Sequence, residues 1–313
     1  MSENKKCAAF CTSIGGQALI EGIMMRGPET VATAVRKPDG EIELKTEPIR
    51  HIFRNKFFKL PIIRGVFNFF ESMILGTKEL MYSAEFYDLE EENAEPSWLE
   101  KKLGDKLQGV VITFSVVLGI GLSVLLFMLL PNLLVSLIER FLPASNLLKS
   151  ALEGLLRIAI FITYLLLVTR MKDIRRVFEY HGAEHKTIFC YESRLPLTVE
   201  NVRTQQRFHP RCGTSFLCIV MIVSILTFSL LNWEMPVWQR LLFRLLLLPV
   251  VAGISYEFIK WAGRSDGAVS RILSKPGLWL QKITTVEPDD SQIEVAIAAM
   301  TAVLPAEEKD AQW

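Results

Sequence analysis

The sequence predicts an α-helical integral membrane protein with about four transmembrane helices, an interfacial amphipathic helix and a small N-terminal β unit on the cytoplasmic side. Three observations carry this reading. Half of the 313 residues are hydrophobic, and they gather into runs near the roughly 20 residues that a hydrocarbon core about 30 Å thick requires. Lys and Arg crowd onto one connecting segment. Short alternating stretches between glycine and proline punctuation fill the first fifty positions. The net charge of +1 selects no partner. Five scattered cysteines, Cys7, Cys11, Cys190, Cys212 and Cys218, argue against a disulfide framework and for a reducing compartment. No secretory signal is visible in the first residues, so the first span is expected to direct insertion.

Residues 1–56 read as the cytoplasmic β unit. Gly15 to Pro28 sets apolar residues between glycines and a proline, and Thr30 to Arg36 and Glu41 to Lys45 flank Lys37-Pro38-Asp39-Gly40, a hairpin signal because Pro and Asp-Gly supply the turn dihedrals. Gly15-Gly16 lacks the Gly-Lys-Ser/Thr or G-x-G-x-x-G context of a phosphate loop, which excludes nucleotide binding there. Residues 57–108 form the next region. Phe57 to Met81 has helical spacing behind a basic flank (Arg50, Arg54, Lys56, Lys59, Arg64), which suits a helix lying along an anionic leaflet. The acidic stretch Glu85 to Glu95, closed by Pro96, reads as a solvated linker.

Transmembrane helices 1 and 2 are placed within 109–170, as Gly109 to Leu130 and Ala151 to Val168. Helices 3 and 4 lie within 215–261, as Ser215 to Leu231 and Leu241 to Trp261, the last with Pro249 inside it. Arg157, Arg244 and Glu257 fall within spans and read as intramembrane structural pairs or snorkelling groups. Arg170 to Arg211 carries nine Lys or Arg, against two in Pro131 to Ser150 and one in Asn232 to Arg240. The positive-inside rule then puts the basic loop, 171–214, and both termini in the cytoplasm. The C-terminal segment, 262–313, is expected to be cytoplasmic, with turns at Gly263 to Gly267 and Lys275-Pro276-Gly277, a helix over Gln292 to Val303 capped by Asp289-Asp290-Ser291, and a frayed tail from Pro305.

The chemistry concentrates in the basic loop. Three of the four histidines lie between 181 and 209. On a helix His181, Glu184 and His185 stand at i, i+3 and i+4 and project from one face. The H-x-x-E-H order is that of an inverted zinc-protease motif, and His209-Pro210-Arg211-Cys212 adds another imidazole and a thiol, both suited to zinc or another divalent transition metal. A polar surface pair of histidines is the bland alternative; the clustering favours a metal.

GGQALIEGIMMRGP at 15–28, EYHGAEHKTI at 179–188, HPRCGTSF at 209–216 and LQKITTVEPDDSQIEVAIAAM at 280–300 together resemble the YqhQ-like membrane proteins of bacteria, an uncharacterised family described as predicted metal-dependent. The resemblance implies a bacterial plasma-membrane (cell inner membrane) protein whose metal centre uses His181, His185, His209 and Cys212. It implies no substrate.

Two expectations follow. In one, the protein is a metal (zinc)-dependent membrane enzyme, hydrolytic, with its site at the cytoplasmic membrane face. His181, His185 and His209 leave a water position open, Glu184 is the catalytic base, Cys212 is nearby or the third ligand, and Lys186 or Arg211 supports developing charge, with Glu21 as a further ligand candidate. In the other, His181, His185, His209 and Cys212 close a structural tetrahedron in a non-enzymatic membrane scaffold or assembly factor, whose basic surface meets membrane lipid, a protein or a ribosome.

Overall fold

The computed structural model describes residues 11–49, 58, 60–88, 105–143, 145–210, 212–231, 233–264, 267–307 and 311. The basic flank at Arg50, Arg54, Lys56 and Lys59, the acidic linker from residue 89 to Pro96, Cys7 and Arg211 lie outside them. The chain forms two compact units, one drawn from Met1–Tyr87, Leu167–Val220 and Ala252–Trp313, the other from Asp88–Leu166 and Met221–Val251.

The first unit is built on an antiparallel meander, β1 (Gly15–Leu19), β2 (Gly22–Arg26), β3 (Thr30–Arg36) and β4 (Ile42–Pro48), in that spatial order. The predicted hairpin is present: Arg36 pairs with Ile42 around Lys37 to Glu41, and Gly40 takes the positive φ of 90° that the turn demands. β2 and β3 are buried on both faces, so their sequence reads as nearly continuous apolar residues. Ile23, Met25, Ala32 and Ala34 join one core with Tyr180, Ala183, Ile293, Ala296 and Met300. These come from α5 (Lys172–Glu192) and α10 (Asp290–Val303). Leu19, Met24 and Val31 pack on the opposite face with Leu75 of α1 (Ile63–Asp88), where Thr33 Oγ1 donates to the buried Glu79 carboxylate at 2.9 Å. The predicted amphipathic helix is thus α1. It turns Glu79 and Ser83 to the sheet and leaves Phe70, Met73 and Ile74 exposed.

α10 begins as its sequence requires. Asp289 accepts from Gln292 N at 2.9 Å and the Gln292 side chain accepts from Asp289 N at 3.0 Å, a complete capping box. Two expectations for this region are corrected. Lys275-Pro276-Gly277 is not a turn but lies inside α9 (Ala268–Thr284). Gly277 sits against Ser215, where a Cβ would come within 2.7 Å of the Ser215 Cβ, and that close packing holds a helix that proline alone would break. The tail is not frayed throughout, because Ala311 is buried and its carbonyl accepts from Ser13 N at 2.6 Å and Thr12 Oγ1 at 3.1 Å. Of the remaining elements, α6 (Val199–Arg203) follows α5 and is capped by Thr198.

The long apolar helices fall wholly or in part within the second unit, the last of them only as far as Val251. α2 (Asp105–Val124) passes through a π-helical turn, Leu125–Leu129, into α3 (Leu130–Glu139). Here too the structure corrects the sequence reading, which ends the span before Pro131. Proline cannot donate the bond that residue 131 owes to the Phe127 carbonyl; that carbonyl instead accepts from Arg157 Nε at 2.9 Å, and the helix continues. α4 (Asn146–Val168) and α8 (Val237–Arg264) complete the set. Among the described residues, three helices, over Thr113–Glu139, Asn146–Val168 and Val237–Trp261, are long and apolar enough to cross a membrane. α7 (Gly213–Phe228) is apolar but has 16 residues, about 24 Å at the usual helical rise.

Candidate metal centre

α5 carries the centre. Its N-terminal turns are polar and its second half is buried from Gly182 to Ile188, because α10 and the sheet enclose that face. His181 and His185 stand one turn apart with ring centroids 4.4 Å from each other. Cys212, just ahead of α7, meets them: its Sγ lies 3.1 Å from His181 Nε2. One donor atom from each of His181, His185 and Cys212 falls within 4.8 Å of the others, a spread comparable with twice a zinc–ligand bond of about 2.0–2.3 Å.

The imidazoles are oriented by backbone. His181 Nδ1 is 2.8 Å from Thr284 O and His185 Nδ1 is 2.5 Å from Arg207 O. Each carbonyl can only accept, so each Nδ1 carries the proton and each Nε2 keeps its lone pair. This is the outer-shell arrangement of metal-binding histidines. His185, 1% exposed, has an Nε2 that is buried without a hydrogen-bond partner. A buried polar atom left so is costly unless something is meant to meet it. Burial, then the neighbouring His181, holds the His185 pKa below its ordinary value. Burial opposes the Cys212 thiolate, but His185 and the Thr214 hydroxyl and N–H outweigh it and bring the thiol below its usual range. Neutral imidazole and thiolate are the ligating forms.

Glu184 is 5% exposed. Its Oε1 accepts from Gly16 N at 3.0 Å, and burial pushes its carboxyl up to about 7, against the opposing pull of His181. Gly16 is needed at that spot, since a Cβ there would lie 2.6 Å from Met24 O and 3.1 Å from Glu184 Cδ. The β unit thus docks directly on the histidine helix.

Other candidate residues take different places. His209 is adjacent but outside the tight group: its ring centroid is 5.8 Å from that of His185, and its Nε2 lies 3.5 Å from Glu192 Oε2. Its backbone is clamped by Gln281, whose Oε1 accepts from His209 N at 2.8 Å and whose Nε2 donates to His209 O at 2.7 Å. Glu21, in the turn after β1 with φ 48°, binds Arg176 and accepts from the Tyr180 hydroxyl at 3.1 Å, and is not part of the His181, His185 and Cys212 group. Burial, then the Glu21 carboxylate, raises the Tyr180 phenol. Lys186, expected as a supporting cation, donates to Arg203 O at 2.8 Å and pairs with Glu287. Arg211 lies outside the described residues. Gly16, Gln281 and the carbonyls of Thr284 and Arg207 were not legible as site residues. Carbonyls leave no trace in a sequence, and the only signal for Gly16 and Gln281 is that they fall in the motif stretches 15–28 and 280–300.

A family model described as "Protein of unknown function (DUF1385)" matches residues 60–306. The chain is similar to the "Uncharacterized protein YqhQ" of Bacillus subtilis (strain 168), 38% identical over 311 residues, covering 98% of this chain and 96% of the relative. No solved structure matches. With the family matched across most of its length, the chain belongs to the DUF1385 family of YqhQ-like proteins.

Proposed function

We propose that the protein is a metal-dependent membrane enzyme, hydrolytic, with zinc or another divalent transition metal held by His181, His185 and Cys212. The observation that carries this is the unpartnered, buried His185 Nε2 beside His181 Nε2 and Cys212 Sγ, with both Nδ1 atoms anchored on carbonyls. Three protein ligands from His and Cys are the set of catalytic zinc sites, which keep one position open. Zinc held there would supply Lewis acidity and make water more acidic. Glu184, next in sequence to His185 and held by Gly16 N–H, accepts and returns the proton; the backbone clamps keep the imidazoles in their ligating tautomer. A peptide or lipid-linked ester at the membrane interface is the substrate class.

The chain is read as a four-pass plasma-membrane protein with α7 as the short third pass, both termini cytoplasmic and the centre at the cytoplasmic face, because α5 follows the α4 span within four residues in the basic segment. Four of that segment's cations, Arg176, Lys186, Arg203 and Arg207, are paired with Glu21, Glu287 and Asp290. That favours a topological role for them over a ribosome- or lipid-binding surface. The scaffold reading, with His209 as a fourth ligand, draws on the nearness of its ring to His185.

Metal content and ligand number by X-ray absorption on wild type, Glu184→Gln and Cys212→Ser decide between them. The enzyme reading expects bound metal with three protein ligands, lost in Cys212→Ser and kept in Glu184→Gln, while Glu184→Gln fails to complement a deletion strain. Four protein ligands in wild type, or full complementation by Glu184→Gln, overturns it.

A further inference from the structure

Side chains of α3, α4 and α8 bring an unusual set of cations together inside the helical unit. Glu153 receives Arg157 Nη2 at 2.8 Å and Arg244 at 2.6 and 2.7 Å. Lys149 pairs with Glu139. Arg240 feels both carboxylates through space but pairs directly with neither. Its Nη2 is 3.4 Å from Asn132 Oδ1, a weak contact, and no ion pair to it is found among the described residues. Arg240, Arg244 and Asn132 are 4%, 3% and 2% exposed. Arg240 Nε and Nη1, Arg244 Nε and Asn132 Nδ2 are buried with no hydrogen-bond partner. The Trp233 ring lies 4.3 Å from the Arg240 guanidinium, and Phe228 lies 5.6 Å from that of Arg244. These faces orient the forks without accepting their N–H groups.

A guanidinium does not shed its proton, so Arg240 is a buried charge with donors unmet, in a helical unit where such charge is expensive. A neutral acceptor would satisfy the donors and leave the charge. An oxyanion meets both needs, and the planar guanidinium forks match a phosphate, whose oxygens accept several N–H groups together. We propose that Arg240, Arg244 and Asn132 form a binding site for a phosphate group, the one borne by an anionic phospholipid headgroup. The surroundings favour a lipid source: Leu133, Leu137, Leu147, Leu148 and Trp238 on the same three helices are exposed and apolar, so acyl chains would lie beside the cluster and the phosphate would enter between the helices to take the buried donors. This site is independent of the histidine centre.

The test uses the full chain in lipid-depleted dodecyl maltoside micelles, titrated with dioleoylphosphatidylglycerol, with sodium phosphate and with dioleoylglycerol, read by native mass spectrometry and thermal melting. Wild type is expected to bind phosphatidylglycerol saturably and to melt higher with it, and to ignore dioleoylglycerol. Arg240→Gln is expected to weaken that binding at least tenfold while melting no lower than wild type without lipid, since it removes the unbalanced charge. Should Arg240→Gln not purify, Arg240→Lys, which keeps the charge and loses the fork, carries the comparison and is expected to bind more weakly than wild type. Saturation by sodium phosphate but not by the lipid keeps a phosphate site and overturns its assignment to a headgroup. Absence of saturable binding to either, or undiminished binding by the Arg240 variant, overturns the site.

Discussion

Gly182→Ala pits two effects of opposite sign against each other. On an exposed helix the change stabilises by about 1 kcal/mol, through helix propensity. Gly182 is not exposed. A Cβ there would run into the Val286 carbonyl oxygen, closer than the 3.0 Å that real Cβ atoms essentially never breach, and would meet Pro288 Cδ at 3.3 Å. The obstacle is main chain and cannot rotate away, so α5 and the segment 284–288 must separate. That strains Val286 N–H to Phe178 O (2.9 Å) and His181 Nδ1 to Thr284 O (2.8 Å). Overpacking costs about 1–3 kcal/mol, and each weakened hydrogen bond adds about 1 kcal/mol. Against the propensity gain, a net loss of about 2–4 kcal/mol remains. At roughly 2–4 °C per kcal/mol for a unit of this size, the full chain in detergent should melt about 4–16 °C lower. Metal retention after dialysis should fall with it, because His181 loses its anchor. Gly119→Ala, where no atom lies within 4 Å of the added Cβ, is the control and should melt no lower than wild type. A Gly182→Ala protein that melts at or above wild type with unchanged metal content would refute the close packing of α5 on this segment.

Two further outcomes are expected. Asp289→Ala removes the α10 cap and should destabilise by about 1 kcal/mol at pH 7 in urea melts. Burial works against the Asp289 carboxylate, but the Ser291 hydroxyl, the Gln292 N–H and Arg176 hold it below its ordinary value of 3.8. A lowered folded pKa contributes stability that is complete above 3.8 and fades as pH falls through the folded value. The wild-type advantage should therefore be level from pH 7 to 5 and shrink only below that; an advantage growing on acidification would contradict the cap. Cys190, buried in the core, has its thiol pushed up to about 11 by burial. Iodoacetamide at pH 8 should leave it unmodified in the native protein and label it after denaturation, as read by peptide mass spectrometry, because only the thiolate reacts. Rapid native labelling would show that this core opens.

The features readable in the sequence were the local ones. One turn of helix puts His181 and His185 on the same face whatever surrounds them, Pro38-Asp39-Gly40 turns the chain between β3 and β4, and Asp289 with Gln292 starts α10; each needs only torsions and neighbours within four residues. Long apolar runs likewise announce themselves, which is why the helices over Thr113–Glu139, Asn146–Val168 and Val237–Trp261 were foreseeable, though not the continuation of the first past Pro131. Packing decided the rest. Whether His209 or Cys212 stands nearer His181 depends on how Gln281 clamps the chain 72 positions away, and the tautomer of His181 depends on a carbonyl 103 residues along. Glu21 and Glu184 are alike in type, yet one meets Arg176 and the other a glycine N–H beside two imidazoles. In the sequence Arg240 is only the one cation of Asn232 to Arg240; in the fold it is buried beside Asn132 of α3. A side chain's chemistry comes from the atoms within a few ångströms of it, and here those atoms come from segments that only the folded chain brings together.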